Sequence, residues 1–359
     1  MSNVVFILGA GASKEAGAPL MADFLDVAWR LWKAGRVNDY AAKFEEVFRG
    51  ISSLQVVHSK SQLDFDNIES VFAAFEMGKI LKRLPGVKVE SIDSRIESLK
   101  TLIGATIEET MMLPVGAQRP KPPVPYRTFV EMVKYLRTEA TPHRTVSIIT
   151  FNYDLACDYA LYHESVPIDY ALEGYPGMEA VPLLKLHGSL NWVYCPKLEK
   201  VVPWSLSSLL EKHHSDSLVK VNDQFYKLKT TPILSRFEYQ SNSVIPEPVL
   251  VPPTWNKSEH HRNLSDVWSR AAKELSDAED IFIIGYSLPA TDSFFRYLYA
   301  LGTVGETLLK RLWVFNPDNR VEERFRTMLG SAALARFQFV HEKFAPSLGT
   351  IKRQFPKQQ

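Results

Sequence analysis

Cysteine is nearly absent: Cys157 and Cys195 are the only two in 359 residues. Two thiols cannot build a four-cysteine zinc site or a disulfide framework, so a reducing, cytoplasmic compartment fits the composition. No His, Cys and carboxylate cluster has metal-ligand spacing either, and the expectation is a protein without metal. An excess of one charge is also lacking. The 42 lysines and arginines nearly cancel the 41 aspartates and glutamates, which gives no strong nucleic-acid signal. No apolar run approaches the roughly 20 residues of a membrane span. The short apolar run near the N-terminus has no charged region before it and breaks at a glycine turn, which marks a core strand and not a signal peptide. Internal repeats and low-complexity tracts are missing too.

What is present begins with Val4-Val5-Phe6-Ile7-Leu8, which reads as a buried strand running straight into Gly9-Ala10-Gly11-Ala12-Ser13. Glycines at 9 and 11 allow a tight turn and a close backbone approach to a ligand. A helix starting near Ser13 would aim free N–H groups at that ligand, which suits a pyrophosphate. The G-x-G-x-x-G dinucleotide pattern is incomplete, because Lys14 stands where its third glycine would be.

Further along, residues 38–113 read as almost wholly helical, with Asp66-x-x-Glu69 resembling a capping box. The proline run from Arg119 to Pro125 reads as an extended linker. Residues 26–125 thus read as a helical insertion that packs, and its length makes a homo-oligomer the expectation. Strand signals return at Thr145–Thr150, leading into Phe151-Asn152-Tyr153-Asp154, and at Leu183–Leu186, leading into His187-Gly188-Ser189. Residues 193–262 read as a second, irregular insertion. An amphipathic helix over Asn263–Leu275 follows. Next comes the strand Asp280–Ile284, ending in Gly285-Tyr286-Ser287, and a helix from Asp292 or Ser293. Leu312–Phe315 leads into Asn316, and Phe337–Val340 closes the series. Strand ends carrying glycine or small polar residues, each followed by a helix, predict an α/β fold. Its expected form is one Rossmann-like parallel sheet over residues 1–359, carrying the two insertions.

The ordered set Gly9-Ala10-Gly11-Ala12-Ser13, Asn152-x-Asp154, His187-Gly188, Gly285-x-Ser287 and Asn316 resembles the NAD-binding core of sirtuins. Lys185–Trp192, Asp66-Asn67-Ile68-Glu69 and Gly285–Pro289 look closer to the bacterial sirtuin-like group that lacks deacetylase features and degrades NAD in phage defence. Two departures separate this chain from deacetylating sirtuins: the zinc cysteines are missing, and no arginine follows Asp23-Phe24. Phe151 also replaces the sirtuin glutamine.

The resemblance implies an NAD glycohydrolase releasing nicotinamide and ADP-ribose, acting as an antiviral effector by NAD depletion. It implies Asn152 holding water and ribose hydroxyls, and His187 as the base. Asp154 would bind the nicotinamide carboxamide. Gly9, Ala10, Gly11 and Ser13 would cradle the pyrophosphate, with Gly285, Ser287 and Asn316 on the adenosine half. The partners it implies are NAD, other copies of the chain and a defence-system ATPase. From the residues alone, helix capping is the alternative reading of Asp154, Ser287 and Asn316. A protein deacylase and a non-catalytic sensor of NAD or ADP-ribose remain the alternatives.

Overall fold

The computed structural model describes residues 2–55, 64–117, 119–174, 177, 179–251, 258–289 and 292–357. Pro252–Trp255, part of the second insertion, lie outside the described residues.

Val4 to Leu8 are fully buried, and the strand they form lies at the centre of a seven-stranded sheet. Its strands are β1 (Ser2–Leu8), β2 (Arg144–Thr150), β3 (Ile168–Asp169), β4 (Val181–Lys185), β5 (Ala278–Ile284), β6 (Arg311–Phe315) and β7 (Phe337–Val340). Across the sheet they run β7-β6-β5-β1-β2-β4-β3, and every neighbouring pair is parallel. An all-parallel sheet needs cover on both faces, hence the unbroken apolar runs where alternation would mark a half-exposed strand. The Rossmann-like α/β architecture expected from the strand ends is the one observed.

The two faces can be told apart from side-chain direction. Phe6 meets Phe129 edge-on, with ring centroids 5.1 Å apart, which puts α6 (Val124–Thr138) on its side of the sheet. Ser147 pairs with Val5 in register and so points the other way. Its hydroxyl reaches Glu274 at 2.5 Å, on α9 (Ser258–Ser276). The sheet is therefore sandwiched between α6 and α9.

Away from the sheet lies a second apolar core. It is built from α2 (Phe24–Lys33), α3 (Ala41–Gln55), α4 (Ile68–Ile80) and α5 (Ile92–Thr110). Trp204, Leu234 and α8 (Leu206–Ser217) of the 193–262 segment are buried in the same core. The two insertions thus pack as one body. Glu108 and Glu109 of α5 hold them together. Glu108 accepts from the backbone N–H groups of Thr230 and Thr231 at 2.7 and 2.8 Å. Glu109 accepts from Lys227 and Lys229, each at 2.6 Å.

Two local expectations are corrected. The cap of α4 is Asn67, not Asp66: the Asn67 side chain accepts the Glu69 N–H at 2.9 Å. The proline run is no free linker either. Arg119–Pro120 pairs antiparallel with Leu113–Gly116, and Pro125 lies in the first turn of α6, where its missing N–H costs nothing. Cys157 and Cys195 are free and buried.

Candidate active site

The chain leaves β1, builds β2, β3 and β4 on one side, then returns to place β5 on the other. That reversal between neighbouring strands is the switch point at which open α/β sheets bind ligands. A cavity of ≈ 580 Å³ opens there, outside the carboxyl ends of the strands, well inside the roughly 300–1,000 Å³ of small-molecule sites. Its wall brings together Ala10, Gly11 and Ser13 after β1, Asn152 and Asp154 after β2, and His187 after β4. Gly285, Ser287 and Asn316 complete it from β5 and β6.

Gly9 is buried behind this wall, against the next turn. Its N–H donates to Ile284 O at 3.0 Å, and that of Gly11 donates to Gly285 O at 2.8 Å. A Cβ on Gly9 would sit 2.5 Å from Tyr286 Cα, and one on Gly11 2.7 Å from Gly285 Cα. The glycines are needed because two turns cross here, a requirement that holds with or without a ligand. Gly11→Ala should therefore cost about 1–3 kcal/mol of stability by overpacking. Urea unfolding checks this, and an unchanged midpoint would show that the turns can part.

Asn152 is tied into the same turn. Its Nδ2 donates to Gly9 O and to Ser13 Oγ, each at 2.9 Å. Ser13 Oγ also lies 2.6 Å from Asp154 Oδ2 and 2.7 Å from the Tyr126 hydroxyl. Asp154 Oδ1 accepts the Ala156 N–H at 2.9 Å, so the carboxylate takes up the first N–H of α7 (Ala156–His163) while it holds Ser13. Burial keeps the Asp154 carboxyl above the ordinary range, against the pull of Lys185 and the Ser13 hydrogen bond. Below it, Lys185 donates to Asp154 O at 2.6 Å and to Asp158 Oδ2 at 3.0 Å. Tyr170 donates to Asp158 Oδ1 at 2.6 Å.

His187 is 4% exposed. Its Nε2 has no hydrogen-bond partner among the described residues and faces Asp292 Oδ2 at 3.8 Å. The Phe151 ring meets the imidazole edge-on at 5.1 Å and stacks on Tyr286 at 4.3 Å. Tyr286 in turn donates to Asp292 Oδ2 at 2.6 Å. Burial first, and then the charge of Asp292, push the Tyr286 hydroxyl well above its usual range, so it remains a donor. On the other side Asn316 Oδ1 accepts the Asp318 N–H at 2.9 Å. The Ser287 carbonyl accepts from Arg324 at 3.1 Å.

Two cavity-side groups, Asp292 and Glu69, and one buried beneath the cavity wall, Tyr126, were missed by the sequence-based assignment of site residues. Asp292 reads as a helix start, yet it makes no side-chain cap to α10 (Ser293–Gly302) and turns to Tyr286 and His187. Glu69 reads as a capping partner, yet it lines the cavity from the second body; its charge adds to burial in raising the Tyr153 hydroxyl. Tyr126 lies one residue beyond the proline run, and only the fold brings it under Ser13.

Sheet and cleft define a Rossmann-like α/β protein with its cavity at the switch point. No family model matches the chain, and no curated protein matches it. Among solved structures it resembles a Sir2 homologue in complex with NAD, at 14% identity over 98% of this chain and 88% of the other, TM-score 0.44. It also resembles a Sir2 bound to a p53 peptide and NAD⁺, at 14% identity over 98% and 92%, TM-score 0.42. A Sir2 bound to a propionylated peptide matches at 13% identity over 98% and 92%, TM-score 0.43. Likeness of this degree bears on neither activity nor ligand. Among the described residues, no group of three or more His, Cys, Asp or Glu could hold a metal ion, and no helix is long and apolar enough to cross a membrane.

Proposed function

We propose that the protein hydrolyses NAD to nicotinamide and ADP-ribose. The observation that carries this reading is the convergence of Asn152 and His187, from adjacent strands, on one cavity at the switch point. The motif order shared with sirtuins supplies the substrate. In the reaction the electrons of the glycosidic bond pass to the nicotinamide ring nitrogen, leaving positive charge on the ribose. Water adds at C1′ and gives up a proton. His187 Nε2, buried and without a hydrogen-bond partner among the described residues, takes that proton, and Asp292 at 3.8 Å stabilises the imidazolium formed. Glu69 and Asp292 bring carboxylates to the cavity in which the ribose charge develops. Gly285, Ser287 and Asn316 form the adenosine end. Following free nicotinamide from NAD, with and without an acetylated peptide, tests the assignment. Release only with peptide would replace it with a deacylase, and binding without release with a sensor.

A metal-independent reaction is part of the proposal. Activity should be unchanged by chelator, and elemental analysis should find no stoichiometric zinc. The resemblance to defence enzymes extends the proposal to a homo-oligomeric antiviral effector working with a partner ATPase. Measuring cellular NAD during phage infection, with and without this protein, checks that extension.

A further inference from the structure

The hydrogen bonds around Ser13 decide which end of the Asn152 amide faces the cavity. Gly9 O is a carbonyl and can only accept, so the amide atom 2.9 Å from it must be the nitrogen. A flipped amide would set two acceptors against each other. The second amide hydrogen goes to Ser13 Oγ. Ser13 has a single proton, which it donates to Asp154 Oδ2 at 2.6 Å. It must therefore accept from Tyr126 as well as from Asn152, and its hydroxyl is then saturated. Ser13 and Tyr126 are 1% exposed and Asp154 5%, which leaves little room for water to substitute in this network.

We propose that Tyr126 and Asp154, acting through the Ser13 hydroxyl, are positioning residues that hold the Asn152 amide with its oxygen toward the cavity. The group bound at Asn152 is then a hydrogen-bond donor, either a ribose hydroxyl or the attacking water. It is neither a phosphate nor a carbonyl oxygen. This rests on the NAD-hydrolase reading for the identity of the ligand, but not for the direction of the amide. It changes the roles assigned from the motifs: Ser13 and Asp154 shape Asn152, and neither side chain holds pyrophosphate or carboxamide.

Tyr126→Phe keeps the ring and removes the donor, while Ser13→Ala removes the acceptor that Asn152 needs. Each should lower kcat for nicotinamide release about tenfold or more, with the Kd for NAD by calorimetry within about threefold of the parent. A Ser13 hydroxyl that bound phosphate would give the reverse, a Kd raised tenfold or more with kcat kept, and would overturn the proposal. A second measurement needs no turnover. With asparagine labelled in ¹⁵N, the Asn152 side-chain amide protons, identified by their loss in Asn152→Ala, should exchange more slowly than those of exposed asparagines. They should stay protected when NAD is added, and Ser13→Ala should remove the protection. Fast exchange in the parent overturns the proposal. If the parent releases no nicotinamide, the NAD-hydrolase reading falls, and amide exchange still decides the orientation.

Discussion

Asn152→Ala and His187→Ala should each lose at least about 10²-fold in nicotinamide release while still binding NAD within roughly tenfold of the parent. Both groups act as the glycosidic bond breaks and water adds, whereas the remaining length of the cavity holds the rest of the substrate. Interactions made only in the transition state appear in kcat, not in ground-state affinity. The double variant should be far less impaired than the product of the single effects, because both residues serve one step. The measurement is steady-state nicotinamide release beside calorimetric Kd, under conditions in which the parent is active. Either alanine variant keeping near-parental activity would remove the chemistry proposed for this site.

Lys185→Met should destabilise the protein by about 3–5 kcal/mol, the usual cost of stripping one partner from a buried ion pair. The side chains of Lys185 and Asp158 are each 1% exposed, so solvent cannot screen the carboxylate left behind. Lys185 also ties the Asp154 carbonyl to β4, and its loss loosens the segment that carries Asn152. Lys185→Met combined with Asp158→Leu should recover much of the loss, since an apolar pair of similar volume avoids the stranded charge. Urea unfolding of the parent, both single variants and the double variant gives the coupling. A single-variant cost below about 1 kcal/mol would show that the carboxylate finds another partner.

The parts of the fold legible in the sequence share a physical signature. Val4–Leu8, Asp280–Ile284 and Leu312–Phe315 are short apolar runs ending in glycine or asparagine, as strands buried on both faces must be. Each is a strand of the central sheet. What could not be read depends on contacts between distant residues. Periodicity shows an apolar side on α5, but the 193–262 segment reads as irregular, and nothing local says that its 206–217 helix shares a core with α5. Glycine at 9 and 11 reads as a close backbone approach to a ligand, and nothing local shows that the turn after β5, some 275 residues away in the chain, also packs against both positions. Asp292 and Tyr126 carry no motif, because their place comes from chain reversal and helix packing. Asp66 and Asn67 are neighbours of equal capping propensity, and local propensity alone does not choose between them.

The position of β1 at the centre of the sheet has a consequence for biosynthesis. It is the first of the seven strands to be made, yet its two partners are residues 144–150 and 278–284. At translation rates of about 5–20 residues per second, its second edge waits on the order of tens of seconds for a partner. Through that interval Val4–Leu8 is a β-prone, uncharged run with an open edge, the kind of segment that self-associates. Pairings this distant also make folding slow. Holding the nascent chain on a chaperone should therefore raise the soluble yield, and a product terminated before residue 278 should aggregate because β1 never acquires its second neighbour.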